Sequence, residues 1–157
     1  MFKNCGSLTT APAELPAKTL AKNCYESMFA FCSSLTFAPA KLPAEALAEN
    51  CYESMFAECT SLQVAPELPV KTLADGCYRE MFYGCTNLTS VTMLATDVSA
   101  DMCLENWLNE AGTNNQGIAP TLTLYNSDVY NKILEQNNNG SNYLPGIWSY
   151  DIRYKYY

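Results

Sequence analysis

The chain has 157 residues, 48% hydrophobic and 16% charged, with a net charge of −7 and no histidine. That is the size of one domain and the composition of neither a disordered nor a fibrous protein. Its acidity disfavours direct binding to nucleic acid or to anionic membrane surfaces, and no apolar run approaches the ~18 residues that membrane insertion needs. Without histidine there is no Ser-His-Asp or Cys-His nucleophile system and no His-ligated zinc site.

Residues 1–23 are interrupted by polar residues and by Pro12 and Pro16. They lack the apolar stretch of a secretory signal. The expectation is a cytoplasmic protein, or a piece of a longer exported chain that acts at the cell surface or on a virion.

An internal repeat organises the first two thirds. Cys24-Tyr25-Glu26-Ser27-Met28-Phe29 returns as Cys51-Tyr52-Glu53-Ser54-Met55-Phe56 and as Cys77-Tyr78-Arg79-Glu80-Met81-Phe82. A degraded copy follows at Cys103-Leu104-Glu105-Asn106-Trp107-Leu108, and Met1-Phe2 matches the end of a copy. The methionine column advances by 27, 27, 26 and 26 residues, ending at Trp107. A fixed period of this length is the signature of stacked supersecondary units.

All eight cysteines fall in two columns: Cys5, Cys32, Cys59, Cys85 and Cys24, Cys51, Cys77, Cys103. No CxxC pair occurs. Cysteine behaves as a small buried apolar residue, so two ladders of buried thiols are the first reading. Disulfides and a metal site are the alternatives that an even count leaves open.

Within a copy, Leu20, Cys24, Met28 and Ala21, Tyr25, Phe29 recur four apart, which predicts one apolar face of a helix. Pro16 precedes that helix where a first-turn proline is tolerated. Cys32 to Pro39 suits a turn and a short strand, with Pro39 and Pro43 flanking it. The expected unit is thus a turn, a strand and a helix.

Two charge columns, Lys18, Glu45, Lys71 and Glu14, Lys41, Glu67, alternate in sign from copy to copy. Such alternation favours in-register stacking, although exposed pairs contribute only about 0–1 kcal/mol each.

From residue 111 the pattern is lost. Residues 109–117 read as a polar loop, and Thr121–Tyr125 as a strand. A helix capped by Asn126 or Ser127 is predicted to run to about Gln136, with Val129, Ile133, Tyr130 and Leu134 as its apolar positions. Residues 137–142 read as a loop. The alternation of Trp148, Tyr150, Ile152, Tyr154 and Tyr156 with polar residues predicts a final strand. The expected organisation is one structural domain, a repeat region over 1–110 with a capping section over 111–157.

The repeat MF-x-x-C-x-S-L-T-x-A-P-x-x-LP-x-x-x-LA-x-x-CY resembles the BspA-type, or Treponema-type, leucine-rich repeats of gut Bacteroidetes, their mobile elements and some protists. The resemblance covers about two thirds of the chain. It implies an α/β solenoid of about four units with a sheet on one side, here closed by a C-terminal α+β cap. It also implies bacterial surface proteins used in attachment. The family has no shared catalytic residues.

The residues themselves offer no chemistry. No glycine-rich phosphate loop occurs. The carboxylates Glu26, Glu53 and Glu105 recur because the repeat recurs, and Asp128, Glu135 and Asp151 are scattered. The sequons at Asn87 and Asn139 read as accidental. The expectation is therefore a protein that is not an enzyme and takes no cofactor and no metal. Its expected role is as a scaffold that binds a protein partner through a curved repeat face. A surface or virion attachment module is one alternative. A phage- or mobile-element-encoded acidic inhibitor of an intracellular nucleic-acid-handling protein is another. Positions that vary while their neighbours repeat are the candidate contacts: Thr10, Phe37 and Val64, beside Thr36 and Gln63, with Phe31 and Tyr83 at the turn. The partner's identity and the oligomeric state are left open.

Overall fold

The structure, a computed structural model, describes residues 1–137 and 144–152. The expected α/β leucine-rich-repeat solenoid is overturned. Among the described residues the regular elements are β1 (Ser90–Met93), β2 (Thr121–Leu124), α1 (Ser127–Asn137) and β3 (Ser149–Ile152). They form a three-stranded parallel open sheet in the order β1-β2-β3, with one helix. No copy of the repeat forms the expected helix.

The reason lies in backbone conformation. Asn23, Ser27 and Phe31 have φ of 58°, 52° and 61°, as do their counterparts Asn50, Ser54 and Glu58 at 52°, 51° and 59°. An α-helix needs every φ near −60°, so a left-handed residue at every fourth position excludes it. The chain instead makes successive turns. The N–H groups of Cys24, Glu26, Met28, Ala30 and Cys32 return to the carbonyls of Ala21, Asn23, Tyr25, Ser27 and Phe29. The alternate N–H groups, of Asn23, Tyr25, Ser27, Phe29 and Phe31, donate to Glu49, Cys51, Glu53, Met55 and Ala57 of the following copy at 2.8–3.1 Å. Half of the donors on this side therefore bind copy to copy. A left-handed non-glycine residue costs roughly 1–2 kcal/mol, and each net hydrogen bond returns about 0.5–1.5 kcal/mol. The inter-copy bonds and the packing they permit offset the strain.

That packing is columnar. Phe2, Phe29, Phe56 and Phe82 stack with ring centroids 5.5, 5.5 and 5.8 Å apart. Tyr25, Tyr52 and Tyr78 stack at 5.7 and 6.1 Å. These separations are within the favourable range for aromatic pairs, each worth about 0.5–1.5 kcal/mol beyond burial. Met55, Met81, Trp107 and Leu108 are fully buried beside them. All eight cysteines are free, with Cys5 exposed, Cys24 half-buried and the other six buried. The thiols of Cys32, Cys59 and Cys85 donate to the carbonyls of Phe2, Phe29 and Phe56 at 3.0–3.1 Å.

Between the turn stretches in sequence, short parallel bridges join Thr10 to Phe37, Thr19 to Ala46, Lys41 to Glu67 and Val64 to Ser90. Only at Ser90 does this side lengthen into a strand, β1, which pairs with β2 in the register Ser90–Thr121. β2 pairs in turn with β3 in the register Thr121–Ser149. Prolines limit the Thr10–Phe37 and Val64–Ser90 bridges: Pro12, Pro39 and Pro66 lie two residues beyond Thr10, Phe37 and Val64 and have no N–H to continue a ladder. In β1 the corresponding residue is Thr92, and the ladder runs on.

α1 begins where its cap predicts, with the Val129 N–H donating to the Asn126 side-chain oxygen at 3.1 Å. Val129 and Ile133 are buried, and Leu134 is exposed. Trp148 is buried and its indole N–H donates to the Ala111 carbonyl at 3.2 Å. This fastens β3 to the last copy. The expected loop beyond Asn137, the sequon at Asn139, and Tyr154 and Tyr156 of the expected final strand lie outside the described residues.

Candidate functional site

The strand side presents one column of side chains from end to end. Its members are Thr10, Phe37, Val64, Ser90, Thr121 and Ser149, set by the bridges and strand registers and by the 27-residue step from Phe37 to Val64. Phe37 is 64% exposed and Val64 59%. Neither is needed to fill the core, whose inward positions on this side are Leu35, Leu62, Leu88 and Val91, all buried. Beside the column stand Thr36, half-buried, and Gln63, exposed. The Thr36 N–H donates to the Thr9 carbonyl at 2.9 Å, and the Thr89 N–H to the Gln63 carbonyl at 2.8 Å. Thr10, Phe37 and Val64 thus stand in one column, and Thr36 and Gln63 flank it in the same rungs of backbone.

Phe31 and Tyr83 do not belong to it. They lie in the turns, where Phe31 is 50% exposed at a left-handed position and Tyr83 is half-buried. The negative charge of Glu110 above all, with those of Glu58 and Glu80, pushes the Tyr83 phenol above its ordinary value. This edge is aromatic and acidic, unlike the strand face.

Two further apolar residues extend the strand face and escaped the sequence reading. Ile118 and Ile147 are 77% and 46% exposed and line one shallow hollow with Pro120. Ile118 lies three residues before the start of β2, and Ile147 two before the start of β3. Each follows a glycine, Gly117 and Gly146, in a segment that reads simply as loop.

Electrostatics set the face apart. The segments Ser7–Ala11, Ser34–Ala38, Ser61–Ala65, Asn87–Val91, Ile118–Leu122 and Gly146–Tyr150 contain no Asp, Glu, Lys or Arg in a chain with a net charge of −7. The charges lie elsewhere. Lys22 pairs with Glu49 at 2.7 Å and Arg79 with Glu53 across copies. Lys41 and Glu67 are neighbours in register, as the alternating column requires. Lys71 instead lies over the Tyr125 ring at 4.3 Å and donates to the Leu94 carbonyl.

A second concavity, a groove of about 1200 Å³, crosses the first three copies and is lined by Leu15, Leu42, Pro43, Val70 and Leu73. Among the described residues no group of three or more Cys, Asp or Glu could hold a metal ion. No helix among them is long and apolar enough to cross a membrane.

No family model matches the chain, and no curated protein or solved structure matches it. The resemblance to BspA-type repeats therefore rests on the motif alone.

Proposed function

We propose that this protein is a non-catalytic scaffold that binds a protein partner through its uncharged strand-side face, with Phe37 and Val64 as the anchors. The observation that carries this reading is the conjunction of two exposed apolar side chains with an in-register face lacking every charged residue type. Depletion of charge at the centre, with aromatic enrichment, is the compositional mark of protein interfaces. Binding energy there concentrates in a few side chains of this kind. At ~4.8 Å between rungs and ~3.3 Å per residue, the face spans about 24 by 16 Å, on the order of 400 Å². That is about half of the ~800 Å² per partner of a standard interface, so the complex is weak and transient or the partner reaches beyond the face.

The test is affinity capture with the wild type and with the triple variant Phe37→Ser, Gln63→Ala, Val64→Ser. The variant should keep its circular dichroism and lose the captured partner. Losing one anchor worth about 2 kcal/mol weakens binding about 30-fold. Capture by the wild type should also survive ~0.5 M salt, because screening acts on charges. Equal capture by the variant refutes the face.

A second reading, an acidic surface that occupies a basic site on a partner, is favoured by the carboxylates of Glu58, Glu80 and Glu110 around Tyr83. Loss of capture in salt, or in Glu80→Gln with Glu110→Gln, supports that reading instead.

A further inference from the structure

The first thiol column combines one open sulfur with a row of closed ones. Cys5 is exposed, while Cys32, the next in its column, is fully buried. The two are nevertheless neighbours. The Phe2 carbonyl accepts the Cys5 N–H at 3.1 Å and the Cys32 thiol at 3.0 Å, so the Cys32 sulfur sits inside the turn that carries Cys5. Bonds from the Phe2 N–H to the Met28 carbonyl at 3.1 Å, and from the Asn4 N–H to the Ala30 carbonyl at 2.8 Å, clamp the two turns together. Backbones joined in this way run about 4.8 Å apart. That is inside the ~4.4–6.8 Å Cα separation a disulfide needs.

We propose that Cys5 and Cys32 are a redox-sensitive pair, in which Cys5 takes up a small disulfide of the glutathione class and Cys32 resolves it into a Cys5–Cys32 disulfide. The chemistry balances. The Cys5 thiolate attacks one sulfur of oxidised glutathione, forming a mixed disulfide and expelling one glutathione thiolate. The Cys32 thiol gives its proton to water or to that thiolate, and its sulfur attacks the Cys5 sulfur and expels the second glutathione. Two protein thiols are oxidised by two electrons, and one glutathione disulfide is reduced to two thiols. An oxidant in solution reaches Cys5 but not Cys32, so the order of events follows from exposure. Burial, the main influence on Cys32, raises its thiol above the ordinary value, while the Cys5 N–H stabilises the thiolate. Resolution is therefore slower than uptake. The product staples the first two copies by a loop of 27 residues.

The experiment treats the native, full chain with oxidised glutathione, quenches with N-ethylmaleimide and maps the peptides. Cleavage after Lys and Glu separates Cys24 from Cys32 at Glu26. The expected course is a transient Cys5–glutathione adduct that gives way to a Cys5–Cys32 cross-link. Cys32→Ser should stop at the adduct, its hydroxyl replacing the thiol as donor to Phe2. Cys5→Ser, at an exposed position, should leave Cys32 unmodified over the same time, and this keeps the test decisive if Cys32→Ser does not fold. A wild-type adduct that persists without the cross-link overturns the proposal, as does modification of Cys32 in Cys5→Ser.

Discussion

Replacing Ser27 or Phe31 by glycine and by alanine gives opposite stability orders for a turn and for a helix. In the structure both residues are left-handed, with φ of 52° and 61°. Glycine takes that conformation without a Cβ penalty, whereas alanine retains a cost of roughly 1–2 kcal/mol. In a helix interior the order reverses, with glycine about 1 kcal/mol less stable than alanine. Neither side chain makes a hydrogen bond among those identified, so each Gly–Ala pair isolates the backbone. Gly84, one copy beyond Glu58 in the Phe31 column, has φ of 67° and shows that the column accepts glycine. The expected result is that Ser27→Gly exceeds Ser27→Ala, and Phe31→Gly exceeds Phe31→Ala, by about 1 kcal/mol each. For a chain of this size that is a difference of about 2–4 °C in melting temperature. Urea denaturation followed by the fluorescence of buried Trp107 and Trp148 reads it directly. Alanine equal to or better than glycine at both sites would refute the turn account.

Two further outcomes follow from the thiols. In the native protein, iodoacetamide should label Cys5 quickly, Cys24 more slowly and the six buried cysteines only after unfolding; comparable labelling of all eight would refute the buried columns. Stability should also fall above pH 9. Burial pushes Cys51 up to about 11 and Cys59 and Cys103 up to about 12, so the unfolded chain ionises first while the folded chain stays protonated. Their contribution is therefore complete below pH 9 and is lost as pH rises toward 11–12. The slope approaches about 1.4 kcal/mol per thiol per pH unit only once the unfolded thiols are fully ionised; between pH 9 and 10 the loss is about 1 kcal/mol per thiol, or roughly 3 kcal/mol for the three. An unchanged urea midpoint from pH 7 to 10 would refute it.

The sequence carried the stacking register and misled on the conformation. The 26–27-residue step gives the partners of the Phe and Tyr columns and of the bridges Thr10–Phe37 and Val64–Ser90, because a repeated side chain marks a repeated environment. The four-residue spacing of Leu20, Cys24 and Met28 reads as a helix because an apolar helical stripe uses i and i+4. A true stripe also uses i+3 and i+7. Here those positions are Asn23 and Ser27, and in the third copy Gly76 and Glu80. A strict period of four rotates ~40° per step around a helix, and so leaves its face within three steps. Asn, Gly and Ser at one phase of that period were the available sign of left-handed turns. The strand face was legible through Phe37 and Val64. Ile118 and Ile147 were not, because their place depends on β2 pairing in register with β1 and β3 with β2, between segments far apart in the chain.

The same architecture explains why the candidate face is free to specialise. Copies are joined by backbone bonds in the turns and by the buried Phe, Tyr, Met and Cys columns, none of which involves the outward side chains at residues 10, 37, 64 and 90. At those positions the fold asks only for a residue that tolerates an extended, half-covered backbone, and Thr, Phe, Val and Ser all do. Phe37 therefore keeps 64% of its surface in water without serving the core. Under the proposed reading, exposed aromatic surface that stability does not require, on a face without charged residues in an acidic chain, is where the partner makes contact. A rung that were merely solvated would have no reason to differ from the charged rungs at residues 18, 45 and 71, which occupy the same stack under the same constraints.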